Sequence, residues 1–260
     1  MARRWTKKEE REKKEELKLL YIKENKTISE ISKILKVGES TVYDRMVRLN
    51  VESIRHKKDR FNNKRNDIII PDKHSDKLAE FIGVLLGDGH ITPTQVTVTL
   101  GTKEYEYVKY VARLMQSLFG VNAKILLLKD GNHVVYIGST EIVNWLLLMG
   151  LTHNKVRDQV DIPKWIFSKK SYMRSALRGL WDTDGSVYNL KFGVQLSFTN
   201  RSKPLLVSVK KMLLNLNFNP SKVGKEKIYL TKRENLIKFF KEVGFNNPKH
   251  KKRFLEFMNK

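Results

Sequence analysis

The chain has no cysteine, which excludes disulfide bridges, thiolate zinc sites and a cysteine nucleophile. It has no stretch approaching the roughly 18 apolar residues that a spanning helix needs. The opening run MARRWTKKEEREKKEELKLL is charged and lacks an apolar signal core, so secretion is not expected, and no lipidation signal points to a membrane. No P-loop or Gly-rich dinucleotide turn is found, and His56, His74, His90, His133, His153 and His250 show no paired metal spacing. Acidic residues are the other shortage: 28 Asp and Glu stand against 51 Lys and Arg, a net charge of +23 over 260 residues. With 40% hydrophobic and 30% charged residues, the chain can bury a core and is not expected to be disordered. The excess positive charge implies a polyanionic partner, and the expected location is cytoplasmic and nucleoid-associated, with an organellar one open.

The charge is not a tail. Residues 1–77 carry +8, residues 78–164 carry 0 and residues 165–260 carry +15. Charge spread over folded segments suits an extended nucleic-acid surface better than a sequence-blind arm does.

In the first segment, Trp5-Thr6-Lys7-Lys8-Glu9 reads as a capped helix start running to about Asn25, with Leu17, Leu20 and Tyr21 on one stripe. A second helix begins at Thr27 or Ser29 and places Ile28, Ile31, Ile34 and Leu35 inward. After a Gly38 turn, a third helix from Ser40 turns Val42, Met46 and Leu49 inward and leaves Ser40, Thr41, Tyr43, Asp44, Arg45 and Arg48 outward. The segment TISEISKILKVGESTVYDRMVRL resembles a helix-turn-helix DNA-binding unit. We assign residues 1–51 to this domain, with Ser40, Thr41, Tyr43, Arg45 and Arg48 as DNA contacts. Residues 52–77 form a basic linker whose Arg55, Lys57, Lys58 and Arg60 could follow a phosphate backbone. Ile68-Ile69-Ile70 is expected to pin the linker to the next domain.

The remaining chain repeats itself. Phe81-Ile82-Gly83-Val84-Leu85-Leu86-Gly87-Asp88-Gly89 matches Leu177-Arg178-Gly179-Leu180-Trp181-Asp182-Thr183-Asp184-Gly185. Downstream, Trp145–Leu151 parallels Phe239–Phe245, each with a glycine at nearly the same offset from its acid. After each Asp-Gly the pattern changes to period two. Gln95, Thr97 and Thr99 alternate with apolar residues, and Lys191, Gln195, Ser197 and Thr199 alternate with Phe192, Val194, Leu196 and Phe198. Helices are expected near 103–119 and 202–216, and strands near 122–129, 133–137 and 225–231. Each half therefore reads αββαββα, a pseudo-twofold α+β fold with repeats at 78–164 and 165–260. The polar strand faces, continued by Arg201, can read base edges.

Both Asp-Gly helices resemble the LAGLIDADG motif of the homing endonucleases. LRGLWDTDG is a close match, and FIGVLLGDG keeps Gly83, Asp88 and Gly89 but has Leu86 where an acid often stands. The resemblance spans about 180 residues. Gly83 and Gly179 would let the two helices pack backbone to backbone, which brings Asp88 and Asp184 together. Adjacent carboxylates repel unless a cation lies between them, and hard oxygens favour Mg²⁺ or Mn²⁺. Gly87 and Thr183, the residues before the acids, are counted in the same metal site. The family also uses basic or polar groups near the metal, and by pattern these are Lys103, Asn200 and Lys155. Counting five residues on from Gly244 gives Lys249, and counting back from Leu255 gives Lys251; we take Lys251, with Lys249 and Lys252 left open. Asp182 is expected to serve helix packing or to contact the ligating groups.

The resemblance implies a monomeric, metal-dependent, site-specific endonuclease that cuts a long asymmetric DNA duplex across the minor groove and leaves short 3′ overhangs. The alternatives are an inactive sequence-specific DNA-binding regulator and an RNA-splicing maturase. A first Cys or Ser and a terminal His-Asn are both absent, so an intein is not expected.

Overall fold

The computed structural model describes residues 7–24, 26–51, 67–191 and 193–258. The expected helix cap at Trp5 and Thr6, the linker residues Arg55, Lys57, Lys58 and Arg60, and Phe192 lie outside the described residues. The chain divides into two compact units, Met1–Asn62 and Asn63–Lys260. Among the described residues, no helix is long and apolar enough to cross a membrane.

In the first unit, α1 (Lys7–Lys18) runs on into a π-helical turn at Leu19–Lys23. There follow α2 (Ile28–Leu35) and α3 (Glu39–Arg48). Thr27 caps α2 with a reciprocal box: its hydroxyl accepts from the Glu30 amide at 3.2 Å, and its own amide donates to the Glu30 carboxylate at 2.7 Å. Lys36, at φ 50°, ends the helix in the left-handed region. Leu17, Leu20, Tyr21, Ile31, Val42, Met46, Leu49 and Val51 form a small core of their own. Two expectations need correction. Ile34 is 48% exposed, because Ile31 and the half-buried Ile28 and Leu35 already fill the inward stripe. The third helix starts at Glu39 with Gly38 as its N-cap, one residue earlier than expected. Thr27→Ala should cost about 1 kcal/mol, seen as roughly fivefold faster hydrogen exchange of the α2 amides.

The second unit is built on two helices. α4 (Asp76–Leu86) is capped by Ser75, whose hydroxyl accepts from the Leu78 amide at 3.1 Å. It therefore begins inside what we expected to be linker. Its counterpart is α7 (Lys170–Thr183), preceded by a 3₁₀ turn at Lys164–Ser168. Each helix feeds an antiparallel sheet. The first repeat continues β1 (Gly89–Ile91), β2 (Gln95–Leu100), α5 (Tyr105–Phe119), β3 (Lys124–Leu127), β4 (His133–Gly138) and α6 (Thr140–Leu148), with sheet order β1-β2-β4-β3. The second continues β5 (Gly185–Leu190), β6 (Gly193–Thr199), α8 (Lys203–Asn215), β7 (Lys227–Leu230), α9 (Arg233–Glu242) and α10 (Pro248–Met258), with sheet order β5-β6-β7. One apolar core runs through both repeats. Ile68 and Ile70 pack against it, and the Ile69 amide donates to the Phe119 carbonyl at 3.0 Å.

The repeats match in register. Gly89 lies opposite Val98 and Gly185 opposite Phe198. The Thr99 amide donates to the Asp88 carbonyl at 3.2 Å, and the Thr199 amide to the Asp184 carbonyl at 3.3 Å. Gly150 and Gly244 are both left-handed, at φ 94° and 70°. The repeats differ in one strand: the second sheet has three described strands where αββαββα requires four. The fourth edge is irregular rather than absent: the Ser221 amide donates to the Tyr229 carbonyl and the Gly224 amide to the Lys227 carbonyl, both at 2.9 Å. The ladder is broken because the Tyr229 amide bonds the Ser221 side chain at 3.0 Å instead of a backbone carbonyl.

Candidate active site

The two acids sit where α4 and α7 end. The helices touch backbone to backbone. A Cβ added at Gly83 would run into the Ala176 carbonyl oxygen, and one at Gly179 into the Glu80 carbonyl oxygen. The contact continues to the helix ends, where a Cβ on Gly87 would collide with the Thr183 hydroxyl. Asp88 and Asp184 each follow that last contact by one residue, so two different sheets receive their acids at one junction. Burial pushes the Asp88 carboxyl up to about 7, and the neighbouring Asp184 charge pushes it further in the same direction, with Glu104 adding a smaller push. Burial raises Asp184 as well, opposed by a hydrogen bond from Asn200 and by Lys155. At neutral pH without a cation, the pair does not comfortably hold two full charges.

Lys155 reaches this junction from the far end of its repeat. Its ammonium donates to the carbonyls of Leu85 at 3.0 Å and Leu86 at 3.2 Å, and also to Gly87. These are among the last carbonyls of α4, which have no partner within the helix. Burial lowers the ammonium, against the pull of Asp184 and Asp88. On the other side, the Asn200 amide donates to Asp184 Oδ2 at 2.8 Å, while its own carbonyl oxygen accepts from the Ser202 amide at 2.8 Å. The Thr183 hydroxyl donates back into α7, to Gly179 at 2.9 Å and Leu180 at 3.1 Å. The Gly87 carbonyl thus already accepts from Lys155 and the Thr183 proton is committed to its own helix, while each oxygen keeps a lone pair.

Lys103 is exposed and does not reach the acids. Its neighbour Glu104 does, because Glu104 closes the start of α5 and its Oε2 accepts the Gly101 amide at 3.0 Å. Lys251 and Lys252 are also exposed. Lys249 is the lysine of this turn that faces the site, paired to Glu104 at 2.8 Å and lowering Asp88. Lys155 and Lys249 thus each follow a left-handed glycine by five residues, the spacing the sequence offered and we set aside. Asp182 anchors that turn. It accepts the Asn246 amide at 2.9 Å and the Asn247 amide at 3.1 Å. Burial nevertheless pushes its carboxyl up to about 8, against those two amides.

The proposed DNA-reading residues separate by exposure. Thr99, Lys191 and Arg201 are exposed, while Gln95, Gln195 and Thr199 are half-buried. Thr97 is buried and its hydroxyl donates to the His90 carbonyl at 3.2 Å. Ser197 is buried at 1% exposure. Both sit on inner strands, where neighbouring side chains cover short ones. Lys191 lies in the turn between β5 and β6, not in a strand. Ser186 and Tyr188 on β5 stand opposite Ser197 and Gln195, while Tyr229 and Lys227 on β7 stand opposite Ser197 and Thr199. These four share the polar face and were missed, because short strands give too few alternations to count. On α3, Ser40 and Tyr43 are exposed, Thr41 and Arg45 are half-buried, and Arg48 is paired to Glu10 at 3.0 Å.

Two carboxylates that burial drives towards protonation, with Asp184 pushing Asp88 further, fit a divalent cation with oxygen ligands. Among the described residues, no group of three or more His, Cys, Asp or Glu is placed to hold a metal. Asp88 and Asp184 would thus hold the cation with water and a ligand's own oxygens completing its shell.

A family model described as a LAGLIDADG-like domain matches residues 75–150 and 171–244. The chain is similar to the replication factor C small subunit of Methanocaldococcus jannaschii, 27% identical over 192 residues, covering 71% of this chain and 10% of that protein. It spans only that tenth of the curated relative's length. Among solved structures, it resembles I-DmoI in complex with DNA and calcium, with a TM-score of 0.50 and 18% identity over 70% of this chain and 97% of that one. It also resembles the N-terminal LAGLIDADG domain of DUF199/WhiA, with a TM-score of 0.48 and 16% identity over 65% of this chain and 81% of that one.

Proposed function

This chain belongs to the LAGLIDADG-like family, and from that premise we propose that it is a site-specific, metal-dependent double-strand DNA endonuclease acting as a monomer. The observation that carries this reading is the pair of acids at the ends of one helix pair, each attached to its own sheet. A duplex lying across both polar sheet faces would present one phosphate from each strand to Asp88 and Asp184. The net charge of +23 supplies the phosphate attraction that holds it there. The outward residues of α3 add a second contact on a long, asymmetric site.

In this mechanism Asp88 and Asp184 would hold the divalent cation, Mg²⁺ or Mn²⁺, which would supply the charge to activate water and steady the leaving oxygen. Asn200 keeps the Asp184 carboxylate from rotating, through the 2.8 Å bond to Oδ2. Lys155 offsets the combined negative charge of the two acids. Lys249 faces the Asp88 side and can hold a phosphate oxygen with the N–H groups that Glu104 does not use.

The test is a cleavage selection on a randomised duplex library with and without Mg²⁺. The expected result is double-strand breaks at one enriched sequence, only with the metal. Retained binding with no nick on either strand, in Mg²⁺ or Mn²⁺, would overturn the reading.

One observation favours a second reading, a DNA-binding regulator without cleavage. The Lys155 ammonium already supplies a positive charge beside both acids. Under that reading Mg²⁺ leaves the unfolding temperature of the protein unchanged, and Asp184→Asn leaves DNA affinity unchanged.

A further inference from the structure

We propose that Glu104 is a positioning residue that holds the Lys249 ammonium beside Asp88, and that the Asp184 side has no equivalent. This rests on the endonuclease reading. Glu104 is not an ordinary surface partner. Its side chain is 13% exposed and its two oxygens receive three donors from three places. The Gly101 amide bonds Oε2 at 3.0 Å, the Asn247 side chain bonds Oε1 at 2.7 Å, and Lys249 bonds the same Oε1 at 2.8 Å.

Asn247 is itself fixed. It is fully buried, and its side-chain amide also donates to the Asp182 carbonyl at 3.0 Å. Its side-chain oxygen accepts the Lys249 backbone amide at 3.1 Å. Asp182, Asn247, Glu104 and Lys249 thus form one chain running from α7 through the α9–α10 turn to the start of α5. A lysine head on a four-carbon stem has no preferred direction of its own. Here the stem is rooted by Asn247 and the head is aimed by Glu104.

Among the described residues, the second repeat has no such acid-held lysine. α8 opens on Ser202, Lys203 and Pro204, with no acid at the position of Glu104. The Ser202 hydroxyl is spent on the Val160 carbonyl at 2.6 Å. Asp184 instead has a neutral amide, Asn200, bonded directly to it. Both acids share the charge of Lys155; beyond it they differ, because Asp88 also faces the Glu104-held Lys249 and Asp184 a neutral hydrogen-bond donor.

The experiment uses the full chain and the duplex recovered from the library selection, each strand carrying its own end label. Glu104→Gln should slow nicking of one strand by about 100-fold, the cost of misplacing a reacting group by roughly an ångström. The other strand should change less than about threefold, so the product shifts from double-strand breaks to single nicks. Glu104→Asp should restore part of the lost rate. A second readout needs no activity: amine acylation of the metal-free protein, followed by peptide mass spectrometry. Lys249 should react several-fold faster in Glu104→Gln, with the rate at Lys251 unchanged. If Glu104→Gln fails to fold, Lys249→Gln carries the same expected strand bias.

Equal slowing of both strands, no slowing, or unchanged Lys249 reactivity would overturn the assignment while leaving the endonuclease reading intact. A wild-type protein that nicks neither strand would bring down both.

Discussion

Asp88→Asn is expected to abolish double-strand scission and, without metal, to make the protein more stable than the wild type. The loss should be at least about 10³-fold, since removing one electrostatic group from a preorganised site commonly costs 10²–10³ and in the proposed mechanism this one would also hold the cation. The gain in stability follows from the raised carboxyl. Its folded value of about 7 lies above the ordinary value of 3.8, so between those limits the folded state binds more protons than the unfolded chain. Ionising Asp88 therefore costs nothing below about pH 4, costs more as pH rises through 4 to 7, and costs its full amount above that. For a half-buried group this amounts to about 2 kcal/mol, after discounting for solvent. Asp88→Asn should unfold about 4–8 °C higher at pH 8 and at the same temperature as the wild type at pH 4. Asp182 pulls in the same direction, but it is present in both proteins and cancels. Mg²⁺ should raise the unfolding temperature of the wild type and not of Asp88→Asn. Calorimetry across pH 4–8, with and without Mg²⁺, checks all of this. A variant no more stable than the wild type at pH 8 would mean that burial and the Asp184 charge do not raise the Asp88 carboxyl.

Gly179→Ala should have the largest effect on folding. In an ordinary helix the change gains about 1 kcal/mol of helix propensity. Here the new Cβ meets the Glu80 carbonyl oxygen, with the Val84 nitrogen at 2.8 Å. Both are backbone atoms of a buried helix and cannot turn aside. Forcing the helices apart should cost about 2–4 kcal/mol net, and Gly179→Val should cost more. Gly224→Ala is the control: its Cβ meets one atom at 3.4 Å, so the change should stay within about 0.5 kcal/mol. Urea unfolding of the three variants measures this. Spreading α4 and α7 would also separate the acids, so Gly179→Ala should lose both metal binding and stability, whereas Asp88→Asn should lose metal binding and gain stability.

Much of the architecture was legible because it is written in repeated local signals. Gly-x-x-x-x-Asp-Gly in the first repeat and the same spacing in the second mark two helices that must pack closely. The left-handed Gly150 and Gly244 mark the turns that return a lysine to the site. The errors arose where pairing across the molecule decides. Glu104 is one residue from Lys103, and the contacts of Asn247 and Lys249 from the other repeat distinguish them. Lys251 and Lys249 differ by two positions, and the start of α10 at Pro248 decides which of them turns inward. Thr97 and Ser197 alternate as a polar face should, yet they sit on inner strands and are covered. Alternation identifies a side of a sheet but not which residues on that side meet solvent. The fourth strand of the second sheet was expected from symmetry; its residues do lie beside β7, but the Ser221 side chain takes the Tyr229 amide that a regular ladder would use.

The irregular edge beside β7 has a consequence for how firmly the second sheet is held. Residues 221–224 are tied to β7 by backbone bonds from Ser221 to Tyr229 and from Gly224 to Lys227, whereas β3 runs in regular register with β4 over Lys124–Leu127. Local opening should therefore cost less along the second edge, and the amides of Ser221 and Gly224 should exchange faster than the laddered amides of β3.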